Sequence, residues 1–187
     1  MHVLSLIILT MSLCLGVYGA VARQGSNIVH LDRRMTIMAL LWGAMQLLVA
    51  CTGYGIGTLL LRAEIAGMHS TFWPRVLAGV LLILCGIRMV MIGLKRKTFF
   101  EHRMEKIDMR EDLVLSLRTG GMALTGGAVC GLLQYPIAAM IPASFAGAGI
   151  CTVLGYLGGR AFGPANTDTA DILGGVLLCF LAAALQM

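Results

Sequence analysis

The chain has 187 residues, of which 58% are hydrophobic and only 12% are charged, and its mean hydropathy is +0.87. A water-soluble domain carries about 25% charged residues to cover its surface, so half of the expected charge is missing. This composition excludes a soluble enzyme and predicts an integral membrane protein. The formal net charge is +5, but no loop is long enough to hold a folded basic domain, so no nucleic-acid partner is expected.

Apolar runs of about twenty residues recur along the chain, which is the length that a helix needs to cross the hydrocarbon core of a bilayer. The runs are continuous and do not alternate with polar residues, so they predict helices and not the strands of a barrel. We expect six transmembrane helices, at 2–22, 36–60, 75–94, 113–133, 136–158 and 171–187. The first run could instead be a signal peptide cleaved near Ala22, but no Lys or Arg precedes it.

The fourth and fifth predicted helices are separated only by Gln134, Tyr135 and Pro136, which predicts a very tight turn. Pro142 would kink the fifth helix near its start. All six cysteines fall inside predicted spans and none forms a CxxC pair, so we interpret them as small residues at helix interfaces. Glycines at i, i+4 spacing predict close helix packing, not a phosphate-binding loop, and no cofactor is expected.

Basic residues are distributed unevenly between the two sides of the predicted bundle. One side holds eleven of the fourteen Lys and Arg residues: Arg23, Arg33, Arg34, Lys95, Arg96, Lys97, Arg103, Lys106, Arg110, Arg118 and Arg160. The opposite side holds only Arg62 and Arg75. Positive residues remain on the cytoplasmic side of a membrane. We therefore expect a multi-pass plasma-membrane protein with both termini outside the cytoplasm.

Two short motifs recur at nearly equal distances. The segment 77–82 is echoed 96 residues later at 173–178, and the segment 53–57 is echoed 102 residues later at 155–159. Each half would then hold three helices, and an odd number inverts the second half relative to the first. Inverted repeats are an architecture of transporters, with the substrate site near mid-membrane between the repeats.

The predicted organisation is therefore an all-α integral membrane protein of six transmembrane helices in two inverted three-helix repeats. The first repeat covers residues 1–94, a cytoplasmic linker covers 95–112, and the second repeat covers 113–187. Within the linker, residues 101–106 look like a short charged helix. We interpret the linker as a solvated connection, with a regulatory or partner-docking segment as the alternative.

The nine acidic residues all fall in loops or at the ends of predicted spans, so no carboxylate is expected within the bilayer. Arg88 is the one charged residue well inside a span; it either extends to the cytoplasmic interface or is buried and paired. Gln46 is expected to form a hydrogen bond with another helix. Ser12, Thr125 and the thiols are further polar groups within the bilayer.

Four short stretches, at 42–57, 86–93, 159–163 and 171–175, form a pattern of glycine and polar residues within apolar helices. In these stretches the chain resembles the MntP-type manganese efflux pumps, which are small six-span proteins of the LysE transporter superfamily built from two inverted three-span repeats. The order and spacing of the stretches extend the resemblance over most of the chain. The resemblance implies the same fold and an activity in cation efflux.

The chain departs from this family at its intramembrane acids. The family carries an aspartate where this chain has Cys14 and a glutamate where it has Gln46. A second family aspartate falls in the region 120–123, which holds no acid, and a further glutamate falls on Ile92. Because manganese prefers carboxylate oxygens as ligands, manganese specificity does not follow from the resemblance.

The resemblance implies an MntP-like transporter that exports a divalent cation or another small solute. Its substrate-binding residues are expected at Ser12, Cys14, Gln46, Thr125 and Arg88. Cys14 together with Met11 would favour a softer metal. The expected partners are the lipid bilayer, the cation, and a second membrane subunit or another copy of the chain.

The alternative is a non-transporting accessory, scaffold or regulatory membrane protein that kept the transporter fold. No Ser/His pair, zinc-binding motif or aspartyl pair lies within the predicted spans, so an enzyme is not expected.

Overall fold

A computed structural model describes residues 2–25, 34–65, 72–94, 109–162 and 165–186. In these ranges the chain forms six α-helices: α1 His2–Gly25, α2 Arg34–Ile65, α3 Phe72–Leu94, α4 Met109–Leu132, α5 Ile137–Phe162 and α6 Ala165–Gln186. No β-strand occurs among the described residues, which agrees with the predicted all-α class. The predicted linker lies outside the described residues up to position 108, and so does its short charged segment at 101–106.

Five helices have the length and apolarity of a membrane span, namely α1, α2, α3, α5 and α6. Large apolar side chains are exposed along these helices; Leu48, Leu59 and Phe180 are each more than 60% exposed. An apolar surface of this extent is unfavourable in water and suits the hydrocarbon interior of a bilayer. The chain is therefore a multi-pass membrane protein.

Helix α4 is the least apolar of the six helices, because it begins with charged residues and contains several glycines. Its C-terminal part is enclosed by the neighbouring helices, where every residue from 126 to 132 is buried. Three of these residues are glycines, at 126, 127 and 131. A helix segment surrounded by other helices needs small residues for packing more than it needs apolar surface for lipid.

The turn between α4 and α5 is as tight as predicted. Gln134 has a positive φ of 55°, and its N–H donates to the Gly131 carbonyl at 3.3 Å. The N–H of Tyr135 donates to the Cys130 carbonyl at 2.9 Å. This pair of hydrogen bonds around a left-handed residue is the Schellman motif, which satisfies the last carbonyl groups of α4. Pro142 lies inside α5, six residues into the helix.

Helices α2 and α4 run in the same direction and approach each other at two glycines. A β-carbon at Gly53 would overlap the carbonyl oxygen of Leu124, and one at Gly57 would overlap the carbonyl oxygen of Ala128. Both residue numbers rise together along the contact, so the two helices are parallel. Backbones this close can gain van der Waals contact in lipid only where side chains are absent.

Helices α1 and α5 form a second parallel contact of the same kind. A β-carbon at Gly155 would lie 3.1 Å from the Tyr18 carbonyl oxygen, and one at Gly159 would overlap the Ala22 carbonyl oxygen. The close approach again depends on glycines spaced four apart.

Helices α3 and α6 run in opposite directions. A β-carbon at Gly86 would lie 2.8 Å from the Gly175 carbonyl oxygen, and one at Gly93 would lie 2.9 Å from the Asp168 carbonyl oxygen. Along this contact the residue numbers of α3 rise while those of α6 fall, so the two helices are antiparallel. Helices α1 and α5 thus share one direction, α2 and α4 share one direction, and α3 opposes α6, as in a bundle whose successive helices alternate in direction.

A buried ion pair joins α1 to α6. The Arg23 guanidinium contacts a carboxylate oxygen of Asp171, and the two side chains are 21% and 3% exposed. The second carboxylate oxygen lies over Gly19, where a β-carbon would overlap it. The predicted start of the sixth helix at 171 is too late: α6 begins at Ala165. Asp171 therefore lies inside the helix, within one turn of the start of its apolar span at Asp168.

Candidate functional site

A cavity of about 40 Å³ lies between α1, α2, α4 and α5. A cavity of about 10–15 Å³ on this measure holds one water molecule, so this cavity has room for a small ion together with one or two water molecules. Its walls are mostly apolar, with polar or thiol side chains at six positions: Thr10, Cys14, Gln46, Thr119, Cys130 and Ser144. No charged side chain is among the described residues that line it.

The Cys14 thiol lies between α1 and α5 at the edge of this cavity. A β-carbon at Gly147 would lie 2.6 Å from the Cys14 sulfur, and no other described atom lies within 4 Å of that position. Cys151 follows one turn later on the same face of α5. The register of α1 with α5, in which Gly155 faces Tyr18 one turn further along both helices, sets Cys151 against Cys14. The absence of a side chain at Gly147 leaves space for the Cys14 sulfur against α5.

Gln46 lies on α2 and is only 4% exposed. Its side-chain N–H donates to the Ser116 carbonyl of α4 at 3.5 Å, which confirms that it forms a hydrogen bond with another helix. The Ser116 hydroxyl and the Trp42 indole N–H are buried and have no hydrogen-bond partner among the described residues. These polar groups extend from the cavity toward the N-terminal ends of α2 and α4.

The other three predicted site residues lie outside the cavity. Ser12 is fully buried and its hydroxyl donates to the Ile8 carbonyl at 2.7 Å. Its own carbonyl faces Gly174 of α6. The Thr125 hydroxyl lies at the contact of α3 with α4, 3.4 Å from the Cys85 sulfur. It also donates to the Met122 carbonyl at 2.8 Å within its own helix.

Arg88 is exposed on α3, and its guanidinium approaches α4 at Gly121. This exposure favours a side chain that extends along the bundle surface over one that is buried and paired. Met11 is 62% exposed and is absent from the cavity wall, so it is not the partner of Cys14. Of the predicted site residues, the structure brings together Cys14 and Gln46.

Among the lining residues that sequence reasoning did not assign to the site, several bear sulfur or hydroxyl groups. Met122 and Cys130 on α4 and Met140 on α5 line the cavity, together with Thr119 and Ser144. Their types carry no motif, and only the helix arrangement places them together. Among the described residues, no group of three or more His, Cys, Asp or Glu side chains is arranged to hold a metal ion.

Comparison with known proteins places this chain in one family. The family model described as "Putative manganese efflux pump" matches residues 30–185. A curated protein of Pseudomonas syringae pv. tomato named "Putative manganese efflux pump MntP" is 25% identical over 183 residues, which cover 95% of this chain and 92% of the relative. A protein of Methylobacillus flagellatus with the same name is 24% identical over 184 residues, which cover 95% and 92%.

No solved structure matches this chain. The match to the family model spans most of the chain, including α2 to α5 in full and nearly all of α6. The chain therefore belongs to the family of proteins described as putative manganese efflux pumps.

Proposed function

We propose that the chain exports a small cation through the cavity between α1, α2, α4 and α5, with all six helices crossing the membrane as two inverted three-helix repeats. The observation that carries this proposal is the cavity itself. It lies among two helices from each half of the chain, has room for a small ion, and holds a few polar groups. Substrate sites of inverted-repeat transporters lie in this position between the repeats.

The helix contacts support the inverted repeat. In the α2–α4 contact, Gly53 faces Leu124 and Gly57 faces Ala128, while in the α1–α5 contact Gly155 faces Tyr18 and Gly159 faces Ala22. The glycines of the two contacts are 102 residues apart in both pairs, and the facing residues are 106 apart in both pairs. One exchange of the halves, α2 with α5 and α1 with α4, therefore converts one contact into the other.

The two offsets also predict which residues of the two halves should touch, and two contacts agree with this prediction. Residues that the exchange maps onto each other should touch if they lie on the symmetry axis. An offset of 106 relates Gly16 to Met122, and a β-carbon at Gly16 would lie 3.1 Å from the Met122 sulfur. An offset of 102 relates Gly43 to Phe145, and a β-carbon at Gly43 would lie 3.1 Å from the Phe145 carbonyl oxygen.

The same offsets relate the site positions of the two halves. Gln46 corresponds to Ala148, which also lines the cavity. Cys14 corresponds to Gly120, which selects one position from the range 120–123 where the family carries its second aspartate. Two of the positions that bear acids in the family, Cys14 and Gln46, therefore lie in the cavity wall with neutral side chains.

We infer the orientation from the distribution of charge. The basic residues favour a cytoplasmic position for the ends of α1, α3 and α5, with both termini outside. The alternating helix directions support crossing by all six helices, including α4. The polar groups of Trp42, Gln46 and Ser116 then lie on the cytoplasmic side of the cavity, where an exported ion enters.

The names of the relatives suggest manganese as the substrate, but the donors in the cavity are weak ligands for it. Moving a divalent ion into a low-dielectric cavity is costly, and hydroxyl, amide and sulfur groups offset less of that cost than carboxylates. We expect manganese to bind with a dissociation constant of about 1 mM or weaker, or about 4 kcal/mol.

The double substitution Cys14→Asp with Gln46→Glu restores the two acids that the family carries and should increase manganese affinity at least tenfold. Calorimetry on the purified protein in detergent measures both constants. Micromolar binding by the unmodified protein would show that the cavity has ligands other than those named here.

A non-transporting role is the second candidate, favoured by the lack of any acid among the residues that line the cavity. Expression in a host strain that lacks its own manganese exporter separates the two functions. An exporter lowers the cellular content of at least one transition metal, measured by mass spectrometry, and raises tolerance to that metal. Unchanged content of every metal tested, with the protein present in the membrane, would favour the non-transporting role.

A further inference from the structure

We propose that Cys14 and Cys151 form a two-sulfur site for a soft monovalent cation of the Cu(I) class at the edge of the cavity. The inference rests on the proposed function, because it names the substrate class of the same cavity. Two helices each contribute one thiol, so the site exists only where α1 and α5 pack together. Soft thiolate ligands select Cu(I)-like ions over hard divalent ions such as manganese.

The first part of the case is the geometry of the thiol pair. The Cys14 sulfur occupies the space over Gly147, 2.6 Å from the position of a β-carbon there. Cys151 lies on the same face of α5, one turn further along, and the register that sets Gly155 against Tyr18 sets Cys151 against Cys14. Both cysteines are free and half-buried. Two cysteines that face each other across a helix interface require no large movement to bind one ion between them.

The second part of the case is the surroundings of the pair. Cys14 lines the cavity, and three further sulfur atoms line the same cavity in Met122, Cys130 and Met140. No described carboxylate or imidazole is among the lining residues. Thioether and thiol groups around the pair would stabilise a soft ion as it approaches, whereas they offer little to a hard one.

Charge balance also favours a monovalent ion. Binding requires a thiolate, so one thiol loses a proton to water and its sulfur forms a bond to the ion, while the other sulfur donates a lone pair as a neutral thiol. The charge of the thiolate then cancels the single positive charge, and the cavity remains neutral. A divalent ion bound in the same way would leave one uncompensated charge in low dielectric, which is costly.

The test uses the full chain in detergent with Ag(I) as the probe, because Ag(I) has the ligand preference of Cu(I) and is redox-silent under these conditions. Calorimetry in chloride-free buffer measures affinity and stoichiometry, and a pH indicator measures proton release. We expect one ion and about one proton per chain. Cys14→Ser and Cys151→Ser should each weaken binding about 100-fold or more, since outer-shell changes alone cost about 10–100-fold.

Two further variants keep the result interpretable. Cys51→Ser removes a half-buried thiol outside the cavity wall and should bind Ag(I) like the unmodified chain. Gly147→Ala leaves both thiols in place but adds a methyl group where the Cys14 sulfur lies, so it should weaken binding. Binding that survives in both Cys14→Ser and Cys151→Ser, or that is lost equally in Cys51→Ser, would overturn the proposed site.

Flux measurements in proteoliposomes separate this inference from the proposed function. Transport of Mn²⁺ without Ag(I) binding would overturn the two-sulfur site and leave cation export standing. Stoichiometric Ag(I) binding that depends on both thiols, with no flux of any cation tested, would support the site and contradict export.

Discussion

Breaking the ion pair between Arg23 and Asp171 should destabilise the bundle more than the loss of any exposed charge. The two side chains are 21% and 3% exposed, so each would be left desolvated without its partner. Removing one member of a buried pair costs about 3–5 kcal/mol. The pair also lies within the packing of α6, which contacts both α1 and α3.

The two single substitutions should differ in size. Arg23→Gln leaves the carboxylate of Asp171 buried over Gly19 and should cost about 3–5 kcal/mol. Asp171→Asn leaves a partly exposed guanidinium that still interacts electrostatically with Asp168, so its cost should be smaller, about 2–3 kcal/mol. The double variant removes both charges and should be less destabilised than the sum of the two, with a coupling energy of about 2 kcal/mol.

Unfolding by sodium dodecyl sulfate in maltoside micelles, followed by circular dichroism, measures these free energies. Arg160→Gln is the matched control, because Arg160 is exposed near the end of α5; its substitution should change stability by less than about 0.5 kcal/mol. Additive effects of the two substitutions, or an Arg23→Gln cost equal to that of the control, would refute the stabilising role of the pair.

Gly57→Ala should destabilise the protein by about 2 kcal/mol or more, since the new methyl group overlaps the Ala128 carbonyl oxygen. Gly55 lies two residues earlier on α2, and no atom lies within 4 Å of a β-carbon there. Gly55→Ala should therefore be neutral or stabilising in the same unfolding assay. Equal losses of stability in the two variants would refute the close α2–α4 contact. For topology, a membrane-impermeant thiol reagent added outside cells should label Met68→Cys but not Phe100→Cys, and labelling of both would contradict six crossings.

The sequence was sufficient to predict the helices, because lipid permits so few alternatives. Six runs of apolar residues became six helices, and the tight turn at Gln134 formed as its spacing required. Boundaries were less predictable where polar residues flank a span. Helix α6 begins six residues before its predicted start at 171, so Asp171 lies inside the helix, and its partner Arg23 could not be identified without the fold.

The candidate site was predicted only in part. Cys14 and Gln46 line one cavity, whereas Ser12 and Thr125 make hydrogen bonds within their own helices and lie elsewhere. A polar residue in an apolar helix can satisfy its hydroxyl on the preceding turn, so polarity alone does not mark a site. The placement of Cys14 opposite Cys151 depends on the register between α1 and α5, which no local pattern in either helix specifies.

Cation flux into proteoliposomes containing the purified chain tests the central claim most directly. The decisive variant is Ala148→Leu, which adds a bulky side chain to the cavity wall, and its matched control is Ala146→Leu on the exposed side of the same helix. With Ag(I) at micromolar and Mn²⁺ at millimolar concentrations, the unmodified chain and Ala146→Leu should accumulate cation inside the vesicles, while Ala148→Leu should not. Equal flux through Ala148→Leu and Ala146→Leu, or no flux through the unmodified chain, would contradict export through this cavity.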